Sequence, residues 1–426
     1  MVWATALTLA ILIAPAYAQT FTVIHNFTGG NDGATPMAGL TEDASGNFYG
    51  TASNGGAFSP LNCPGGCGIV FQLKAGGSGW LLTPLYRFTG GANDGGNPSG
   101  RVTIAGDGTL YGPTGAGGGN GCGFGRGCGT IFHLTPPPTA PITALSWWRE
   151  SLLHRFTGGS DGSGPQGDLI FDRSGNIYGT TLSGGPNGHG AVYEFTPSGA
   201  GWTETVLYSA SGGESGYSSP TGGVVFDRSG NLYGVLHDGG SFPTDYGAVY
   251  QLSPSGSDWT ITILAGFGPD GNPIGGLTMD AAGNLYGTTA IAHDEDNDGG
   301  TAFELTPRGG GWNFAWLYYF PGNGGLAFDG PHDKLVMDVA GNLYGTEYAN
   351  GSNGYNQYGS VFKLAPSNGS WTYTSLHDFT GGADGGNPVS NLVFDAAGNL
   401  DGTASLGGDL SRCYGFGCGV IFKIAP

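Results

Sequence analysis

Residues His293 to Gly299 read His-Asp-Glu-Asp-Asn-Asp-Gly. Alternate carboxylates at Asp294, Asp296 and Asp298, turned by a glycine, suit an oxygen-liganded calcium ion. The twelfth loop position, where an EF-hand requires glutamate, is Leu305, so any calcium site here is not an EF-hand. The plainer alternative is a solvated acidic loop. The six cysteines form three near pairs, Cys63/Cys67, Cys122/Cys128 and Cys413/Cys418. Their spacing is not C-x-x-C and their loops lack histidine, which argues against zinc. In an exported protein they should close local disulfides, each worth about 2 kcal/mol for so short a loop. They either staple loops or present a rigid ligand-facing sector. No G-x-S-x-G, H-E-x-x-H or phosphate-cradling loop is present. His25, His154 and His377 share one repeated strand position, which reads as scaffold.

These residues must be placed by an unusual chain. Glycine supplies 88 of 426 residues and proline 25, with 12% aromatics. Without a period this would indicate low complexity; here D-x-x-G-N-L-Y-G recurs. Copies run from Asp43, Ala105, Asp172, Asp227, Asp280, Asp338 and Asp395, and their closing glycines are 53 to 67 residues apart. Each unit has four segments of strand character. A short apolar run such as Leu169-Ile170-Phe171 comes first, expected to be buried on both faces. The motif then turns the chain, its aspartate accepting local N–H bonds and its glycine taking positive φ. The second strand carries Asn-Leu-Tyr-Gly-Thr and the third Val-Phe-x-Leu, as at Val361 to Leu364. The fourth opens with tryptophan and ends in an aromatic, as from Trp371 to Phe379. These tryptophans read as packing residues.

The order implies an all-β, seven-bladed β-propeller of four-stranded blades. The last repeat stops after its third strand, and residues Phe21 to Phe27 fit the missing fourth. The N-terminal strand therefore completes the last blade and removes the open sheet edges. The blades should span about 36–88, 98–156, 165–210, 220–267, 273–320, 331–379, and 388–426 plus 19–27, as one domain over 19–426.

The run D-x-x-G-N-L-Y-G-T-T, then G-G, then G-x-V-F-x-L-x-P and G-W, resembles the GloVer-type tandem repeat of secreted and surface-anchored bacterial proteins. The resemblance covers nearly the whole mature chain and implies no particular activity. Members of that family carry varied C-terminal anchors; this sequence ends in a strand. Two copies depart from the motif: Ala105 replaces the opening aspartate, and Asp401 replaces the tyrosine of the seventh.

Residues 1–18 combine an apolar run with Ala16-Tyr17-Ala18, a signal-peptide pattern, although a basic n-region is missing. The expected product is secreted, extracellular or periplasmic, monomeric and without a membrane span. Net charge is −19, which repels nucleic acid. Asp-Gly turns between fourth and first strands (Asp32, Asp94, Asp161, Asp270, Asp329 and Asp384, with Glu214 in the remaining copy) should make one face acidic.

Function should sit where the repeats differ. The residue preceding each first strand varies: Gly39, Arg101, Asp168, Gly223, Gly276, Lys334 and Asn391. Arg101, Asp168, Lys334 and Asn391, with Asp333 nearby, are expected at the channel mouth, either as ion-paired filling or as a polar ligand site. The sequence reading is a non-catalytic binding propeller for an extracellular ligand, a glycan, protein or cell-envelope component. The alternative is a carbohydrate or lactone lyase or hydrolase at the same mouth.

Overall fold

The computed structural model describes residues 19–59, 63–77, 79–119, 121–137, 148–199, 201–212, 216–239, 246–268, 271–291, 299–322, 330–349 and 357–425. The segments 1–18 and 292–298 fall outside, and with them the expected signal peptide and Asp294, Asp296 and Asp298. So do Asp270, Asp329 and Glu214.

The motif explains its own local structure. In the copies opened by Asp43, Asp172, Asp227, Asp280, Asp338 and Asp395, one carboxylate oxygen accepts the backbone N–H groups two and four residues on. The other oxygen accepts the asparagine side-chain amide at 2.7–2.9 Å. In five copies it also accepts the tyrosine hydroxyl, as from Tyr344 to Asp338 at 2.9 Å. The closing glycine has a separate cause. A Cβ on Gly50, Gly112, Gly179, Gly234, Gly287, Gly345 or Gly402 would lie 2.3–2.7 Å from the ring or hydroxyl of the aromatic on the adjacent third strand. That glycine exists to admit a large aromatic into the core.

The seventh copy departs in a correlated way. Asp401 is fully buried where the others have tyrosine. Lys423, from the facing third strand, donates to Asp401 at 2.8 Å and also to Asp395. The lysine thus supplies the turn aspartate with the donor that the tyrosine hydroxyl supplies elsewhere.

The chain forms an all-β, propeller-like arrangement with no α-helix among the described residues. Successive antiparallel strands run, for example, Thr41–Glu42, Phe48–Ala52, Ile69–Gly76 and Gly79–Arg87. The sheet count differs from the seven separate four-stranded sheets expected. Among the described residues there are four four-stranded sheets, one five-stranded and one curled eight-stranded sheet. The last arises because Ser163–Phe171 and Tyr217–Phe226 meet in one parallel pair, Asp168 with Gly223, which fuses two repeats. First strands are also shorter than expected. Five have two residues, and only the residue before or at their start is fully buried, as with Leu335 before Val336–Met337. Thr20–Asn26 pairs antiparallel with Val420–Ala425, Thr20 opposite Ala425 and Asn26 opposite Val420. The N-terminal strand therefore completes the sheet holding the C-terminal one. The opening tryptophans of the fourth strands (Trp80, Trp148, Trp202, Trp259, Trp312 and Trp371) pack against the apolar clusters between sheets.

Candidate ligand site at the channel mouth

The segments entering the first strands come so close that only glycine fits several of them. A Cβ on Gly39 would lie 2.2 Å from the Asn391 carbonyl oxygen and 2.9 Å from Arg101 Cδ. One on Gly100 would meet Gly167 at 2.2 Å, and one on Gly167 would meet Gly223 at 2.4 Å. Gly222 stands in the same relation to Gly276, and Gly275 to Asp333, each at 2.3 Å. Lys334 N–H donates to Asn391 Oδ1 at 2.9 Å. These contacts run through all seven repeats and return to their origin.

Around this circuit lies a cavity of about 400 Å3. It brings together Arg101, Asp168, Asp333 and Asn391, with Met37, Asn97, Gln166 and His332 also on its wall. Arg101 donates to Asp168 Oδ2 through Nε at 2.8 Å and a terminal nitrogen at 2.6 Å. Asn391, 223 residues away in sequence, donates to the same oxygen at 3.1 Å. Burial alone would raise the Asp168 carboxyl, but the Arg101 charge outweighs it and holds the group below the usual range. Burial raises Asp333 to about 8, although Thr346 donates a hydroxyl to it. Burial also lowers the neighbouring Lys334 ammonium to about 8, against the attraction of Asp168. The mouth thus holds one neutralised ion pair and two groups whose protonation changes near neutral pH.

Asn97, on the cavity wall, was missed by the sequence reading. It belongs to a repeated Gly-Asn-Pro, with Asn272 and Asn387, each at positive φ (52°, 59° and 51°) before a proline. Each donates its side-chain amide to a backbone carbonyl, as Asn97 does to Ser53 at 2.8 Å. The strained asparagine before proline was the signal available in the sequence.

The Asp-Gly links follow the turn chemistry set out above. Asp32, Asp161 and Asp384 accept both the N–H and the hydroxyl of Thr28, Thr157 and Thr380. Asp94 takes both donors from Thr89 on one oxygen at 2.6 Å. The cysteines pair as Cys63–Cys67, Cys122–Cys128 and Cys413–Cys418, and none is free. Two of these bridges lie against the same turns. A Cβ on Gly29 or Gly158 would fall within 3.0 Å of the sulfurs of Cys413–Cys418 or Cys122–Cys128 respectively. Three disulfides fit an oxidising extracellular or periplasmic environment. No helix among the described residues is long and apolar enough to cross a membrane.

Comparison with known proteins supports the architecture. A fungal alcohol oxidase of the AA5 family, in complex with copper, superposes with a TM-score of 0.56 at 14% identity, covering 96% of this chain and 76% of that one. An ulvan lyase of polysaccharide lyase family PL25 gives 0.50 at 13% identity, covering 92% and 90%. At such identities the likeness is one of fold alone. No curated protein matches the sequence. Residues 125–330 match the family described as the Gloeobacter/Verrucomicrobia repeat. That match supports the GloVer-type repeat that the spaced motifs resemble.

Proposed function

We propose that this is a secreted, monomeric, non-catalytic binding propeller whose ligand seat is the cavity lined by Arg101, Asp168, Asp333 and Asn391, with Lys334 just outside its wall. In this reading residues 1–18 are a signal peptide and 19–426 one domain. The eight-stranded sheet counts as two blades, giving seven, with Thr20–Asn26 closing the last. The observation that carries the reading is the Arg101–Asp168–Asn391 network on the wall of a cavity of about 400 Å3. The ion pair cancels its own charge, and the nearby Asn97, Ser99 and Gln166 offer neutral donors and acceptors. That favours a neutral, hydroxyl-rich ligand, a glycan of the cell envelope, over an anion. The test is retention of the mature protein on arrays of soluble glycans and cell-wall fragments, with and without calcium. Retention lost in Arg101→Gln and Asp168→Asn supports the mouth as the seat; retention unchanged in both overturns it.

A second reading is favoured by one observation: Asp333 and Lys334 each change protonation at about 8. A neutral acid and an ammonium poised to lose its proton, on successive residues, could serve a lyase or hydrolase acting on carbohydrate or lactone. Product release abolished by Asp333→Asn and Lys334→Met would establish the enzyme; retention without product would establish the binder. The calcium site at Asp294, Asp296 and Asp298 is part of the proposal and is tested separately. Calorimetry without calcium-dependent heat would remove it.

A further inference from the structure

Opposite the second and fifth residues of the third strand, the fourth strands of successive repeats carry His25/Leu82, Tyr86/Glu150, His154/Glu204, Tyr208/Ile261, Ala265/Phe314, Tyr318/Tyr373 and His377/Phe21. Most fill the seam with apolar or aromatic surface: Tyr318 stacks on Tyr373 at 5.1 Å and His377 on Phe21 at 3.6 Å. Three carry histidine, and each histidine reaches the aspartate of its own Asp-Gly turn, at 3.4 Å for Asp32, 3.3 Å for Asp161 and 3.1 Å for Asp384. Only the His154 seam adds a carboxylate from the neighbouring repeat. Glu204 Oε2 lies 3.5 Å from His154 Nε2, and one ligand atom from each of His154, Asp161 and Glu204 falls within 4.8 Å of the others.

We propose that His154, Asp161 and Glu204 form a binding site for a divalent transition metal of the zinc type, bridging two repeats. Two of the ligand separations match the chemistry. Nitrogen and oxygen ligands about 2.0–2.1 Å from a tetrahedral zinc lie about 3.3–3.4 Å apart. A second observation is independent of that geometry: Glu204 Oε1 is buried and has no hydrogen-bond partner. An unpaired buried carboxylate oxygen is costly unless a cation or proton meets it. The surroundings also suit the role. Asp161 is oriented by the N–H and hydroxyl of Thr157 at 2.8 and 2.6 Å. Its turn lies against the Cys122–Cys128 disulfide through Gly158. These are outer contacts of the kind that hold a ligand in place. Three protein ligands leave a fourth position open, and the cation would cross-link neighbouring repeats.

The test is titration of the disulfide-intact protein with zinc alone, followed by calorimetry and native mass spectrometry, and with cobalt, followed by its visible absorption. One zinc per chain is expected, with affinity falling about tenfold or more in His154→Gln and in Glu204→Gln. Glu204→Leu, which copies the His25 seam, should abolish binding and the tetrahedral cobalt spectrum, while His377→Gln leaves both unchanged. Should one variant fail to fold, the others still decide. Absence of zinc, cobalt and manganese binding at about 100 μM would overturn the site. So would one-to-one binding that survives Glu204→Gln and Glu204→Leu undiminished.

Discussion

The two ends of each first strand obey opposite rules. At the motif end, six aspartates make one set of hydrogen bonds, and almost nothing varies between repeats. At the mouth end, the residues are Gly39, Arg101, Asp168, Gly223, Gly276, Lys334 and Asn391. A few residues separate a saturated scaffold from a surface free to differ. The lesson is that saturation fixes a position: every oxygen of the motif aspartate has a partner whose loss would leave it stranded. At the mouth, only Arg101, Asp168 and Asn391 are tied to one another by their side chains.

The sharpest way to break this comparison is at the seventh repeat, where the motif end itself departs. Lys423→Met should destabilise by about 3 kcal/mol, because it strands the fully buried Asp401. Adding Asp401→Tyr to Lys423→Gln copies the first repeat, in which Gln72 donates to the Tyr49 hydroxyl at 2.7 Å, and should recover most of that loss. Denaturant unfolding of the single and double variants checks both; a double variant no better than Lys423→Met would refute the exchange. Asp338→Ala at an ordinary motif end should cost about 2 kcal/mol, since four accepted bonds are lost from a half-buried carboxylate. Ligand retention should be unaffected. Arg101→Gln at the mouth should remove retention and also cost about 2 kcal/mol, because it leaves the largely buried Asp168 carboxylate without its charge partner.

The smallest expected effect is a pH slope of mixed sign. For Asp43, Asp227 and Asp338 burial alone would raise the pKa, but the accepted asparagine and backbone hydrogen bonds win and lower it. Their stabilisation is present above the unfolded value, about 3.9, and is lost as pH falls through the lower folded value. Glu347 and Asp401 are raised by burial to about 7. The folded state then keeps protons that the unfolded chain has released, so stability falls as pH rises from about 4 to 7. The melting temperature should peak near pH 4–5 and decline toward 8, more shallowly in Glu347→Gln. A melting temperature rising steadily from pH 4 to 7 would contradict this balance.

The repeat made the scaffold legible, because a turn aspartate, an asparagine and a glycine at fixed offsets permit few local structures. Periodicity also exposed the mouth residues, since a varying position stands out against constant neighbours. The fusion of two repeats through Asp168 and Gly223 was not legible, because a single parallel backbone pair has no side-chain signature. Nor was the purpose of the motif's last glycine, which is set by an aromatic on another strand. The His154 site was half legible: the shared histidine position could be read, whereas Glu204 became its neighbour only when two repeats met.

The pairing of Thr20–Asn26 with Val420–Ala425 has a consequence for synthesis. The earlier strand leaves the ribosome roughly four hundred residues before its partner, and joining chain ends at that separation is slow unless intervening structure shortens the loop. Intermediate sheets can form in sequence, each on its predecessor, but the last must wait for the final six-residue strand. Until then an unpaired edge stays available to other chains. A chain lacking Val420–Ala425 would therefore leave both its neighbours in that sheet with an unpaired edge, open to pairing with other chains.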